Sequence, residues 1–388
     1  MKTDSDFALL RVPKSAHLIG QEGSRYQIPT PALVLDLDKL EDNLAYMALH
    51  CQKHGLGLRP HAKTHKSANI AKLQLTAGAV GICCAKLAEA EALAAQGVPK
   101  LFLTSPAVTP GSIARAVALT QQVEELILTV DSQKIACDIQ QAAAAAGVVM
   151  HLAIDLDVGL HRTGIAPGDG ASAMAHYIDS ASHLVFRGLQ AYAGHLMHVG
   201  DFADRKAKSL DAMRQLGEMR DRLQAEGIAC EILTGGGTGT FNIDPEAGVL
   251  TDLQGGSYVF MDREYNEVPI ANNAPIPFET ALFVQTTVIS TNTPGLVTTD
   301  AGLKSFSTDA DPPIIHGGAP DGASYFFFGD EQGGVLLAEK SQQIELGTAI
   351  ACVVPHCDPT VNLYDWYHCV RGDVLVDLWP VDARGCSQ

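Results

Sequence analysis

Residues 80–106 read VGICCAKLAEAEALAAQGVPKLFLTSP. A short apolar run, VGICCAK, leads into an Ala-rich helical stretch over 87–96, closed by Gly97 and followed by a second apolar run, KLFLTSP. Apolar runs of strand length that alternate with helical stretches describe a β/α unit, and a glycine just past the helix is a common stop signal. The same phrase returns on both sides of this stretch.

Upstream lie strand candidates at 31–38 (PALVLDLD) and 57–63 (GLRPHAK); downstream lie 125–132, 150–157 (MHLAIDLD), 184–192 (LVFRGLQAY) and 229–237 (ACEILTGGG). Helical patterns fill 39–54, 68–77, 111–121, 133–146, 169–180 and 203–226, with Gly78, Gly147 and Gly227 near their ends. Eight alternating units over roughly 240 residues predict a (β/α)8 TIM barrel spanning 28–265, an open doubly wound sheet being the alternative that period alone leaves standing. After residue 265 the Ala-rich helical segments stop. Alternating runs such as TALFVQTTVIS, SYFFFGD, IACVVP and WYHCVRGDVLVDLWP follow, broken by turns such as NTPG and APDGA. They predict a C-terminal all-β domain over 266–388, to which residues 1–27 are expected to return.

Composition narrows the function. Of 388 residues, 46% are hydrophobic, enough for a large core, and 44 acidic against 27 basic residues give a formal charge of −17. A nucleic-acid backbone would be repelled by such a chain. No apolar run approaches the ~20 residues needed to span a bilayer, and the N-terminal MKTDSDFALLRVPKSAH lacks the uninterrupted apolar core of a signal peptide. Nine cysteines, an odd number scattered through apolar runs, suit free thiols in a reducing cytoplasm.

Barrel enzymes draw their reacting groups from the C-terminal ends of strands. The second candidate strand ends in RPHAKTHK, where Arg59, His61 and Lys63 alternate and, in extended backbone, share one face. A lysine sheltered there loses its proton more readily and becomes a nucleophile for an aldehyde, while a solvated lysine at the start of a loop is the plain alternative. The last strand runs into TGGGTGT, Thr234 to Thr240, where barrels build phosphate sites from backbone N–H groups. A phosphorylated aldehyde needs both features. His195 and His198 follow the seventh strand beside Tyr192, and His161 and Arg162 follow the sixth. In VVPHCDPT, His356 and Asp358 stand two apart, a spacing that suits either a surface turn or a weak site for Mn²⁺, Mg²⁺ or Zn²⁺.

RPHAKTHKS, GICCAKLAEAEALAAQG, QAYAGH, LTGGGTGT, LQGGSYVFMD, the DAGLKS run and HCDPT followed by WPVDARG together resemble the D-threonine aldolase and D-serine dehydratase family. These are pyridoxal 5'-phosphate enzymes of fold type III, with the alanine racemase-like barrel. The likeness runs from about residue 28 to 385; where the family has DEHG this sequence has Asp330, Glu331, Gln332 and Gly333, so any role of that histidine is missing. It implies that Lys63 forms the imine with pyridoxal phosphate, that Gly236, Gly237 and Thr238 hold the phosphate, and that Arg162 and Tyr192 touch the ring. Ser257 and Tyr258 are brought to the phosphate or ring. At the metal position the dehydratases resemble His-x-Cys and the aldolases His-x-Asp, so His356 and Asp358 imply the aldolase branch.

The expected reaction is cleavage of a D-β-hydroxy amino acid, D-threonine to glycine and acetaldehyde, with His198 or His195 as the base and a metal-bound water as the competing assignment. Alternatives are a dehydratase acting on D-serine or D-threo-3-hydroxyaspartate, a 3-hydroxy-D-aspartate aldolase, a non-catalytic pyridoxal-phosphate carrier, and a metal aldolase without organic cofactor. The resemblance also implies a homodimer.

Overall fold

The computed structural model describes residues 13–388. Contacts divide the chain into two compact units, one holding Leu44–Tyr258, Glu267–Pro277 and Gly385–Gln388, the other 13–43, Val259–Asn266 and Phe278–Arg384.

The first unit is an eight-stranded parallel sheet rolled on itself. Its strands are β2 (Gly57–Leu58), β3 (Ile82–Cys84), β4 (Lys100–Leu103), β5 (Glu125–Val130), β6 (Met150–Leu156), β7 (Leu184–Ala191), β8 (Ile232–Gly235) and β9 (Asp252–Leu253). Pairing runs β2-β9-β8-β7-β6-β5-β4-β3. The two ends of that row meet: Val80 N–H donates to Leu58 O and Cys83 N–H to Pro60 O, each at 2.8 Å, and His61 bridges to Cys83 in parallel. Cys83, Phe102, Ile127, Ala153 and Ile232 form one buried cluster, drawn from five different strands. Inward side chains from many strands filling one core are what makes such a barrel solid.

The helices are α1 (Leu37–Lys53), α2 (Ala68–Thr76), α3 (Leu87–Ala95), α4 (Pro110–Thr120), α5 (Gln133–Ala146), α6 (Asp169–Ser180) and α7 (Phe202–Ala225). Their ends follow local chemistry. Thr109 and Ser112 cap each other ahead of Pro110 in α4, Gly147 takes a left-handed φ of 66° after α5, and the Asp201 carboxylate accepts from Asp204 N–H at 2.7 Å to start α7.

The second unit is mostly strand. β10 (Leu282–Thr293), β11 (Leu296–Thr299), β12 (Ile314–Gly317), β13 (Ser324–Phe327), β14 (Gly333–Leu336), β15 (Ala349–Val353), β16 (Trp366–Arg371) and β17 (Val374–Pro380) all belong to it. So does β1 (Ala32–Asp36), which pairs antiparallel with β10 and parallel with β16. This corrects the expectation that 31–38 opens the barrel. Ala32–Leu35 form an unbroken apolar run because both faces are covered, and that pattern does not say which sheet covers them. The eighth barrel strand is instead β9, two residues long and overlooked in the sequence. Near the N-terminus, Gly20 N–H donates to Leu375 O at 2.8 Å and Arg25 N–H to Asp373 O at 3.0 Å, and Leu18, Ile28, Ala32, Val34, Val370 and Leu375 share a core.

All nine cysteines are free, and among the described residues no helix is long and apolar enough to cross a membrane.

Candidate active site

β2 stops at Leu58, so the alternation expected to run to Lys63 breaks into a single 3-10 turn over Ala62–Thr64. Arg59 points into the barrel: its Nε is 3.2 Å from Asp252 Oδ1 on β9 and its guanidinium lies 5.5 Å from the Phe102 ring centre, all buried. Lys63 sits half-buried on the turn. The other lysine of the motif, Lys66, has a left-handed φ of 50° and places Nζ 3.3 Å from Oε1 of the buried Glu89.

The glycine turn after β8 has no room for side chains. A Cβ at Gly235 would lie 2.1 Å from Ala191 O, and one at Gly239 would lie 2.1 Å from Met197 O. Gly236 has a φ of 70°, and its Cβ would fall 2.3 Å from Asp244 Oδ2. Asp244 is itself buried, accepts hydrogen bonds from Ser209 and, at 2.5 Å, from Thr240 Oγ1, and burial pushes its carboxyl up to about 6. Thr238 Oγ1 accepts from Tyr258 N–H at 3.1 Å, and Gln74 Nε2 donates to the buried Tyr258 hydroxyl at 3.2 Å.

Most of the residues singled out in the sequence meet around this turn. The Tyr192 ring lies 3.6 Å and Met197 Sδ 2.7 Å from where a Gly237 Cβ would be, so the loop carrying His195 and His198 packs on the turn through Met197. Both histidines are exposed, with the His195 ring against Gly159 in the loop after β6. The Arg162 guanidinium lies 5.4 Å from the Tyr192 ring centre. On the other side, a Cβ at Gly256 would lie 2.8 Å from Thr64 Oγ1, so the Gly255–Tyr258 segment joins the glycine turn to the Lys63 turn. Pyridoxal phosphate fits this set. The turn offers an anion bare backbone in place of side chains, and an amine stands on the neighbouring turn.

Three barrel residues were missed. Asp155 Oδ1 accepts from Gln190 Nε2 at 2.9 Å, its Oδ2 accepts from Thr163 Oγ1 at 2.8 Å, and Gln254 Nε2 donates to Gln190 Oε1 at 3.2 Å. Burial raises the Asp155 pKa against those two hydrogen bonds. Asp155 and Gln190 lie near the ends of β6 and β7, so the strand-terminus rule would have found them; Gln254 follows a strand too short to show in the sequence.

In the strand-rich unit, His356 and Asp358 face each other at the start of α8 (Cys357–Val361), with His356 Nε2 3.9 Å from Asp358 Oδ2. His356 Nδ1 is 2.7 Å from Asp309 Oδ2 and 3.9 Å from Glu264 Oε2. The buried Asp262 accepts from Cys357 N–H at 2.9 Å. Desolvation lowers the His356 pKa, yet Asp358, Asp309 and Asp262 outweigh it and the net shift is upward. Carboxylates crowded around one imidazole suit a divalent cation. Among the described residues no group of three or more His, Cys, Asp or Glu converges with ligand geometry, so water or substrate would complete the shell. Asp309, Glu264 and Asp262 lie far from the HCDPT motif in the sequence; Asp262 closes the LQGGSYVFMD run, but nothing there ties any of the three to His356.

Comparison with known proteins agrees with this arrangement. Residues 35–264 match the alanine racemase N-terminal domain, and 281–370 a putative serine dehydratase domain. The chain is 37% identical to a 3-hydroxy-D-aspartate aldolase of Paracoccus denitrificans (strain Pd 1222), over 92% of this chain and 93% of that one. It is 38% identical to a D-threonine aldolase of an Arthrobacter species, over 93% and 94%. The crystal structure of D-threonine aldolase from Filomicrobium marinum superposes with a TM-score of 0.89 at 35% identity, covering 93% of this chain and 97% of that one. Barrel, glycine turn, sheltered lysine and strand-rich second unit thus come together in one lineage: this chain belongs to the alanine racemase N-terminal domain family, in the group of the D-threonine and 3-hydroxy-D-aspartate aldolases.

Proposed function

We propose that this protein is a pyridoxal-phosphate- and divalent-cation-dependent lyase that splits D-β-hydroxy amino acids, D-threonine among them, into glycine and an aldehyde. The observation that carries the reading is the continuous wall from Tyr192 and Met197 through Gly237, Thr238, Tyr258 and Gly256 to Thr64, next to Lys63. An amine and an anion-binding turn share that wall, as a phosphorylated aldehyde requires.

Lys63 would hold the cofactor and Gly236, Gly237 and Thr238 its phosphate, with Arg162, Tyr192, Ser257 and Tyr258 around them. Pyridoxal phosphate, when bound, supplies an electron sink for the bond being broken. His356 and Asp358 would hold a Mn²⁺, Mg²⁺ or Zn²⁺ ion, whose positive charge would acidify a substrate hydroxyl. His198 Nε2 or Nδ1, or those of His195, would take the hydroxyl proton; both side chains reach solvent, into which the proton can be passed. The buried Glu89 ties Lys66 down, leaving the covalent role to Lys63.

The test is incubation with D-threonine and Mn²⁺. Acetaldehyde and glycine support the reading, whereas 2-oxobutanoate would assign a dehydratase. A visible absorption band lost in Lys63→Ala checks the cofactor lysine. We further read the enzyme as a cytoplasmic homodimer, which light scattering on the purified protein tests.

A further inference from the structure

His61 forms three connections around the Lys63 turn. Its backbone N–H donates to Gly255 O at 3.0 Å, its Nε2 lies 3.1 Å from Thr104 Oγ1, and its Nδ1 lies 3.3 Å from the Lys63 backbone N–H. The ring's protonation follows from its partners. The Thr104 hydroxyl has one hydrogen and spends it on Cys84 O at 3.1 Å, because a carbonyl only accepts. Thr104 Oγ1 therefore accepts from His61, which puts the ring hydrogen on Nε2. Lys63 N–H can only donate, so Nδ1 carries a lone pair. The tautomer protonated at Nε2 satisfies these contacts.

We infer that His61 is a positioning residue for Lys63, its tautomer set by Thr104 so that Nδ1 caps the turn from which the lysine projects. The first N–H groups of a helical turn have no internal partner, and here His61 takes up the one belonging to Lys63. Ala62 O completes the turn, accepting from His65 N–H at 3.0 Å and Lys66 N–H at 2.7 Å. A serine or asparagine would cap the turn locally. Histidine also reaches Thr104, just past β4, and fixes the turn's orientation against the barrel wall. This inference rests on Lys63 being the cofactor lysine.

The experiment uses the holoenzyme and the variants His61→Ala, His61→Asn and Thr104→Val. Each is measured for kcat, KM, the visible band of the bound cofactor and its rate of release on dilution. Borohydride reduction with peptide mapping identifies the modified lysine in the wild type. Asparagine keeps an acceptor for the Lys63 N–H but loses Thr104, and valine keeps the shape of Thr104 without its hydroxyl. His61→Ala should lower kcat and quicken release about tenfold with KM little changed, Thr104→Val should do so about threefold, and His61→Asn should recover most of the loss, as expected for one cap. Wild-type kcat and release in both His61→Ala and Thr104→Val would overturn the inference, as would His61→Asn being as impaired as His61→Ala. If His61→Ala does not fold, Thr104→Val decides, and wild-type behaviour there overturns it. Labelling of a lysine other than Lys63 in the wild type would remove the underlying reading instead.

Discussion

Lys66 Nζ stands 3.3 Å from Glu89 Oε1, and the Glu89 side chain is completely enclosed. The second Glu89 oxygen accepts from Ala85 N–H at 2.7 Å. Burial raises the Glu89 pKa, and Lys66 opposes it. Lys66→Met, which leaves the enclosed carboxylate without its counter-charge, should cost about 3–5 kcal/mol in urea unfolding, and adding Glu89→Gln should restore most of it. Equal stabilities for the single and double variants would refute the pairing.

The glycine turn should tolerate no Cβ. Gly235→Ala drives a methyl into the Ala191 carbonyl and Gly236→Ala into Asp244 and Leu253. Both should weaken pyridoxal-phosphate binding at least about tenfold, or ~1.4 kcal/mol, in a fluorescence titration. Gly248→Ala is the control. That glycine has a φ of 62° with open space around it, so its replacement should cost about 1 kcal/mol of strain and leave cofactor affinity unchanged.

Asp244 should make stability fall as pH rises. Its folded pKa is about 6, while an unfolded aspartate titrates near ~3.9. Below about pH 4 both states hold the proton and nothing is gained or lost. Between about 4 and 6 the native state binds more protons, so stability declines across that window and remains lower by about 3 kcal/mol above it. Asp244→Asn, which mimics the protonated carboxyl, should flatten this component. Urea midpoints from pH 4 to 7 that differ by a constant between wild type and variant would rule it out.

Chelation should stop turnover, and Mn²⁺ should restore it. His356→Ala and Asp358→Ala should abolish Mn²⁺ binding followed by electron paramagnetic resonance. Asp309→Asn, which loosens the carboxylate 2.7 Å from His356 Nδ1, should weaken Mn²⁺ about 10- to 100-fold. Unaltered Mn²⁺ affinity in all three variants would place the cation elsewhere.

The β/α alternation was readable because apolar runs such as VGICCAK and MHLAIDLD lie inside a parallel sheet and are buried on both faces. That clarity also misplaced PALVLDLD, since β1 is equally buried between β10 and β16. β9 escaped because two residues carry no period. At the site, Lys63, Tyr192 and the glycines announced themselves by position at strand ends or by composition. The carboxylates around His356 are joined to it only by folding, as Asp309 and Asp262 lie on other segments of the chain. No local pattern tied them to His356.

β1 leaves the ribosome long before its partners, for both β10 and β16 follow the whole barrel sequence. Every barrel strand is already present once residue 253 has emerged, so that unit can fold while synthesis continues. During that interval an apolar strand with two unsatisfied edges must wait. Nascent chains halted after residue 253 has emerged but before β10 has should therefore recruit holding chaperones through residues 32–36, and polar substitutions there should relieve that dependence while damaging the finished protein.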